Sequence, residues 1–253
     1  MDLRSRIIRL AYQQPKHRKH LLPILKTSGW CMNAGSTPLD QAKSFAEDAF
    51  SEADKSLEEV WPDFDHNYKL LQQKLNKAKN IPRILMPVIE PGDMTDFSKS
   101  LNEGSIDIFR PWAKGELFVP ERFRSKIEGE EWIELGFLDG KEGDDKEGDD
   151  TVRAKKGKKD VKSLIPTQSE IWFDKIVAST VKFGAVSSGS PVLNKTVIVS
   201  KEGYILDGHH RFASALLSDP SLALSALLIP MGIDLLLKIG KSYGEAIGNK
   251  PKA

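Results

Sequence analysis

Apolar positions recur at helical intervals through the first hundred residues of the chain. Residues 38–50, 53–60 and 62–78 place apolar side chains three and four positions apart, a spacing that predicts three amphipathic helices. Residues 81–89 form a short apolar run flanked by prolines, which favours an extended segment. Residues 94–102 predict a further short helix. The pattern therefore indicates a mainly helical N-terminal region.

The pattern of apolar positions changes in the last third of the chain. Residues 197–200 and 204–206 are short β-branched or aromatic runs on either side of a glycine turn, which predicts a hairpin. Residues 212–217 then predict a helix. Residues 222–237 are strongly apolar but contain a proline, a glycine and an aspartate, so we interpret them as a buried strand followed by a helix. No membrane span is expected.

Between these regions lies a stretch with almost no large apolar side chains. Residues 139–162 contain two copies of the pentapeptide KEGDD, at residues 141–150, and continue into a lysine-rich run. Such a segment cannot bury enough surface to offset its ordering entropy, which predicts a charged flexible linker or loop. The acids lack the spacing of a calcium-binding loop. We therefore expect an α+β chain with a mainly helical region over residues 1–138 and a small α/β domain over residues 163–253.

The net charge of +1 over 253 residues excludes a globally basic nucleic-acid coat, yet it conceals charged blocks. Residues 1–26 carry a net charge of +6 and residues 37–64 carry −6. Further along, residues 139–150 carry −5 and residues 151–163 carry +5. Each basic block lies next to an acidic block along the chain. The basic surface that could bind a polyanion is therefore smaller than either basic block alone suggests.

The basic N-terminal segment is also amphipathic, which predicts a helix that docks on its own domain or on a partner. The prolines and histidines of this segment fit a mitochondrial transit peptide less well. Arginines interrupt its apolar runs, so no secretory signal is expected. We expect a cytoplasmic protein. Cys31 is the single cysteine, which excludes an internal disulfide bond and a metal site made of cysteines alone.

Candidate chemistry is concentrated where the second strand of the hairpin meets the following helix. This junction consists of Asp207, Gly208, His209, His210 and Arg211. A helix N-terminus offers backbone N–H groups and a positive dipole end to a phosphate, and arginine adds bidentate contacts. Aspartate does not suit a phosphate but can hold Mg²⁺ or accept a proton. The structural alternative is an Asp207 helix cap, an Arg211 salt bridge and histidines that bind backbone groups.

The sequence YILDGHHRFASAL, preceded by LIPTQSEIWFDKI, resembles the ParB/sulfiredoxin superfamily, and especially the ParB-like domains that bacteriophage genomes encode. The resemblance covers residues 163–248 and implies a small α/β domain that binds a nucleotide phosphate at residues 208–211. Sulfiredoxins carry a reactive cysteine where this chain has His209, so sulfinic acid reduction is not expected. Chromosome-partitioning ParB proteins carry Gly-Glu-Arg-Arg in the corresponding loop.

The loop is most similar to that of the free-serine kinase branch, which carries Asp-Gly-His-His-Arg and an upstream catalytic glutamate. This resemblance implies a phosphotransferase that uses ATP, ADP or CTP with Mg²⁺ and acts on a hydroxyl-bearing substrate. Glu170 matches the glutamate and would act as the base or orient the substrate. Asp207 would be a second carboxylate or a Mg²⁺ contact, while His210 and Arg211 would stabilise phosphoryl charge. The expected substrate contacts are Gln168 and Ser169.

Two alternatives belong to other functional classes. The first is a ParB-like nucleic-acid-binding module, either non-catalytic or switched by CTP, with the lysine-rich residues 155–162 beside DNA phosphates. The second is a virion or host-takeover protein that binds a protein partner through its N-terminal helices. For a phage-encoded chain, the expected location is the host cytoplasm or the virion.

His66 lies on a charged helical face and is expected at the surface.

Overall fold

The computed structural model of the chain describes residues 32–81, 86–104, 151–168 and 170–249. The described helices are α1 (Leu39–Ser51), α2 (Leu57–Val60), α3 (Phe64–Asn76), α4 (Met94–Asn102), α5 (Phe173–Phe183), α6 (Pro191–Asn194), α7 (His209–Ser218) and α8 (Ile233–Ala246). The described strands are β1 (Lys155–Asp160), β2 (Ile165–Pro166), β3 (Val197–Val199), β4 (Tyr204–Asp207) and β5 (Ala223–Leu228). A 3₁₀ turn over Val161–Ser163 joins β1 to β2. The fold is therefore α+β, as expected.

The strands form one mixed sheet in the order β1-β5-β3-β4-β2. β1 pairs with β5 and β3 pairs with β4 in antiparallel fashion, whereas β5 with β3 and β4 with β2 are parallel. Because β2 and β4 run in the same direction, their carboxyl ends lie at one edge of the sheet. The segments that follow these two strands are thereby brought together.

Helices cover both faces of the sheet because successive strand side chains point to opposite sides. In β3, Val197 and Val199 join a core that includes residues of α1, α3, α5 and α7. Ile198, between them, joins a second core with residues of α4 and α8. The sheet is thus the middle of three layers, and its short central strands are buried on both sides.

The N-terminal helices share the first of these cores with the C-terminal part of the chain. The ring of Phe173, in α5, lies 5.4 Å from that of Tyr68 and 6.3 Å from that of Trp61. Trp61 Nε1 donates a hydrogen bond to Ser218 Oγ at 3.2 Å, and Asn67 Nδ2 donates to the Leu217 carbonyl at 3.1 Å. The described N-terminal helices α1, α2 and α3 therefore share one hydrophobic core with the sheet and with α5 and α7.

The prediction of a flexible linker over residues 139–162 is wrong for its C-terminal part. Residues 155–160 form β1, which pairs with β5 along its whole length, and Val161 is fully buried. Five of the six β1 residues are exposed, so the strand is held by backbone hydrogen bonds at a sheet edge rather than by an apolar face. Lysines on an edge strand also discourage pairing with other chains. Residues 139–150 lie outside the described residues.

Two predicted helices have different boundaries. The helix expected over residues 53–60 is confined to α2, because Ser56 caps it: Ser56 Oγ accepts from the Glu59 N–H, and Glu59 accepts from the Ser56 N–H. The helix expected at residue 212 begins at His209, directly after Gly208. The helices predicted over residues 38–50, 62–78 and 94–102 and the hairpin are confirmed, and so is the strand-to-helix order after residue 222. The basic N-terminal segment and Cys31 lie outside the described residues.

Two glycines of α8 allow a close approach to the segment that follows residue 86. A side chain at Gly244 would meet the Val88 carbonyl oxygen at 2.7 Å, and one at Gly240 would meet Pro87 at 3.1 Å. Asn249 Nδ2 donates to the same Val88 oxygen at 3.0 Å. This packing fixes the path of residues 86–91. Within the described ranges, no helix has the length and apolarity that crossing a membrane requires.

Candidate phosphate-binding cleft

The carboxyl ends of β2 and β4 bring two polar segments together. Thr167 and Gln168 follow β2, and Gly208 follows β4 and precedes α7. Nε2 of His209 accepts from the backbone N–H of Thr167 at 3.1 Å and from that of Gln168 at 3.3 Å. Thr167 Oγ1 lies 2.8 Å from the same nitrogen and donates to the carbonyl of Ile205 at 2.6 Å. The buried His209 ring therefore joins the two segments.

Gly208 makes the turn from strand to helix. Its φ of 104° lies in the left-handed region that favours glycine. A Cβ at this position would lie 2.5 Å from Val197 Cγ1 and 2.8 Å from Arg211 Nη2. The turn is thus closed on one side by β3 and covered on the other by the Arg211 guanidinium. No side chain caps α7, so its first turn lacks the usual side-chain acceptor for the backbone donors.

Asp207 and Arg211 form an ion pair across this turn. Arg211 Nη2 donates to Asp207 Oδ2 at 2.5 Å, and the two residues are four positions apart. The arginine side chain is 18% exposed, and its Nε has no hydrogen-bond partner among the described residues. Burial raises the pKa of the Asp207 carboxyl, and the charge and hydrogen bond of Arg211 oppose that rise. The pair therefore combines a carboxylate of increased basicity with a cation that retains an unused donor.

The pair opens into a cleft of about 930 Å³. Three parts of the chain contribute to its walls: residues 86–91, one side of α5 and the residues around α6. The charged side chains among the described lining residues are Glu90, Lys175, Lys195, Asp207 and Arg211. A cleft of this volume can bury a ligand of nucleotide size, and its surface is largely apolar with a smaller number of polar groups.

The sequence-predicted site residues are only partly brought together. Asp207, Gly208, His209, His210 and Arg211 all line the cleft, and so does Gln168, which is buried. The Gln168 backbone contacts His209, as described above. The predicted hairpin and loop therefore do assemble at one end of a cavity.

Glu170 is exposed and does not belong to the lining residues of the cleft. Ser169, which precedes it, lies outside the described residues. His66 is exposed on α3, as expected for a surface residue. The predicted role of Glu170 therefore rests on the resemblance alone.

Sequence reasoning missed several residues of the cleft. Lys175, Ser179 and Phe183 recur at four-residue intervals along α5, and this spacing could have indicated one helical face. The contact between Thr167 and His209 left no signal in the sequence, because it joins residues 42 positions apart. Lys195, the residue directly after α6, also lines the cleft.

The cleft lining offers few ligands to a Mg²⁺ ion. Among the described residues, no group of three or more His, Cys, Asp or Glu side chains could hold a metal ion. Mg²⁺ is often held by one or two carboxylates together with substrate phosphates and water. Asp207 and Glu90 are the carboxylates of the described cleft lining, so the residues fit a cation that arrives with a phosphate ligand.

Comparisons with protein-family models, with curated proteins and with solved structures found no match to this chain.

Proposed function

We propose that the chain is a nucleotide-dependent phosphotransferase of the ParB/sulfiredoxin type that transfers a terminal phosphoryl group to a hydroxyl of a second substrate. The observation that carries this proposal is the Asp207–Arg211 pair at an uncapped helix N-terminus inside a nucleotide-sized cleft. A cation and a carboxylate beside one phosphate site are the two groups that phosphoryl transfer requires.

The phosphate end of the nucleotide would lie on residues 208–211. The N-terminal turn of α7 offers backbone N–H groups and the positive end of the helix dipole. Arg211 adds the Nε donor that no described residue uses, and His210 stabilises the phosphoryl charge. The His209 side chain is committed to the Thr167 segment, so its contribution would come from the backbone.

Asp207 is the carboxylate best situated to receive the acceptor proton. In this step the hydroxyl oxygen forms a bond to the terminal phosphorus while the bond from phosphorus to the bridging oxygen breaks. The bridging oxygen keeps the electron pair as the nucleotide leaves, and the hydroxyl proton moves to Asp207. The raised pKa of Asp207 favours this role, because a base gains strength as its pKa approaches the working pH.

The remaining predicted residues have supporting roles in this proposal. Gln168 and Ser169 would contact the acceptor, and Glu170 would orient it from the rim of the site. As the alternative to its role as base, Asp207 would hold Mg²⁺, and Glu90 is the other carboxylate of the described lining. When bound, Mg²⁺ would neutralise charge on the phosphate oxygens. ATP, ADP and CTP are the candidate nucleotides.

A second candidate is supported by the edge strand β1. Its Lys155, Lys156 and Lys158 are exposed and belong to a strand whose outer edge is not paired within the described sheet. A row of lysines can contact nucleic-acid phosphates without catalysis. This candidate predicts salt-sensitive DNA binding that survives substitution of Asp207.

A nucleotide panel tests the phosphotransferase proposal through Arg211. We expect one of ATP, ADP and CTP to raise the melting temperature of the wild-type chain by several degrees when Mg²⁺ is present. Arg211→Ala removes the guanidinium from the phosphate site, so nucleotide affinity is expected to fall at least tenfold. The measurement is differential scanning fluorimetry, followed by titration calorimetry for the responding nucleotide.

Arg153→Ala is the matched control, because Arg153 is an exposed arginine that does not line the cleft. It is expected to bind nucleotide like the wild type. Equal loss of affinity in both variants would mean that general charge, not the Arg211 site, controls binding. Absence of any nucleotide response in the wild type would contradict the proposal outright.

A further inference from the structure

One aromatic ring in the cleft is left largely uncovered. Phe183 is the last residue of α5 and is 69% exposed. It is the one exposed large hydrophobic side chain among the described residues. The Lys182 ammonium lies 4.8 Å from its ring centroid, which is a cation–π distance. An exposed phenylalanine is costly in water, and here it borders a ligand-sized cavity.

The direction of α5 relates this ring to the phosphate end. The helix begins five residues after Gln168, which contacts His209 at the start of α7. Three residues beyond its end, the Val186 N–H donates to Ser218 Oγ, on the last residue of α7. The segments that precede and follow α5 therefore contact opposite ends of α7.

The lining of the cleft combines cations with apolar side chains. Lys175 lies in the first turn of α5 and Phe183 eight residues later, a separation of about 12 Å along the helix axis. The apolar lining residues include Val186 and Val192, and Lys195 is a further cation of the lining. A nucleotide combines the same two requirements, since it carries phosphates and a planar base.

We propose that Phe183 is the stacking platform for the base of the nucleotide, an inference that rests on the proposed function. Stacking on an aromatic side chain tolerates every base, because each base has a π-face. The cleft would then select a nucleoside di- or triphosphate over a free phosphate. The choice between adenine and cytosine would depend on polar lining residues other than Phe183.

The test compares ADP with inorganic pyrophosphate, which carries the phosphates but no base, by calorimetric titration of the full chain with Mg²⁺. Phe183→Ala is expected to weaken ADP binding about tenfold, the usual scale of base stacking, and to leave pyrophosphate binding unchanged. Phe183→Trp retains a ring and is expected to bind ADP like the wild type. Phe183→Leu retains an apolar side chain without a ring, so its loss should approach that of alanine.

The outcomes separate this inference from the proposed function. If Phe183→Ala leaves ADP affinity unchanged, or weakens ADP and pyrophosphate equally, the stacking role is wrong while the phosphate site stands. If leucine restores full affinity, the contact is general apolar burial and the stacking role is again wrong. If the wild type binds none of ATP, ADP, CTP and pyrophosphate, the proposed function fails and the stacking role fails with it. Because the side chain is largely exposed, these variants are expected to fold.

Discussion

Asp207→Asn is expected to reduce phosphoryl transfer by about 100- to 10,000-fold, the usual contribution of a positioned general base. The amide can still accept the hydrogen bond from Arg211 but cannot take the acceptor proton. Nucleotide affinity should therefore change little while turnover is lost. The measurement is nucleotide turnover by ³¹P NMR, with water or serine as the acceptor, beside a calorimetric titration of the same preparation.

The raised pKa of Asp207 also indicates that this variant folds. A carboxyl whose pKa is raised by folding contributes stability below its unfolded pKa and loses that contribution as the pH rises through the folded pKa. At neutral pH, replacement by the uncharged amide therefore removes no stabilising ionisation. Loss of turnover together with loss of the folded state would contradict this expectation.

Glu170→Gln is the matched comparison for Asp207→Asn, since it makes the same chemical change at the exposed carboxylate. We expect about a tenfold loss, seen mainly as a higher KM, because Glu170 is proposed to orient the acceptor. If Glu170→Gln is inactive and Asp207→Asn is active, the base has been assigned to the wrong carboxylate. In the wild type, activity should fall as the pH drops through the raised pKa of Asp207.

Gly208→Ala is expected to destabilise the chain by roughly 2–5 kcal/mol and to abolish nucleotide binding. The left-handed φ of 104° costs a residue with a Cβ about 1–2 kcal/mol, and forcing an atom against Val197 costs about 1–3 kcal/mol more. The same Cβ would displace the Arg211 guanidinium from the turn. The measurement is the free energy of unfolding in urea.

Gly248→Ala separates these two costs. Its φ of 82° is also positive, but a Cβ there would meet no atom within 4 Å. Only the conformational cost of about 1–2 kcal/mol is expected, with nucleotide binding intact. If Gly208→Ala is no more destabilising than Gly248→Ala, the close packing of the turn against β3 has no energetic importance.

Local sequence patterns predicted the part of the fold that local chemistry controls. The β-branched residues of β3, the glycine turn and the apolar residues of β4 together specify a hairpin without reference to the rest of the chain. The structural alternative for the loop included an Arg211 salt bridge but made Asp207 a helix cap rather than the partner of Arg211. The structure pairs the two residues and shows no side-chain cap on α7.

The features that the sequence did not predict have a common physical cause: each depends on residues far away along the chain. β1 has no apolar face, and its conformation follows from the β5 edge about 65 residues away, with which it exchanges backbone hydrogen bonds. The contact of His209 with Thr167 depends on the parallel pairing of β2 with β4. Neither strand pairing can be predicted from the local spacing of apolar and polar residues. The exposure of Glu170 similarly follows from the path of the chain after β2.

Backbone amide NMR during nucleotide titration tests the central claim, that nucleotide phosphates bind at the start of α7, most directly. The account predicts that the responding nucleotide shifts the amide resonances of His209, His210 and Arg211 more than those of any other segment, and that pyrophosphate reproduces these shifts. Arg211→Ala should remove both responses. Shifts confined to β1, or to residues outside the cleft, with these three amides unchanged, would contradict the account.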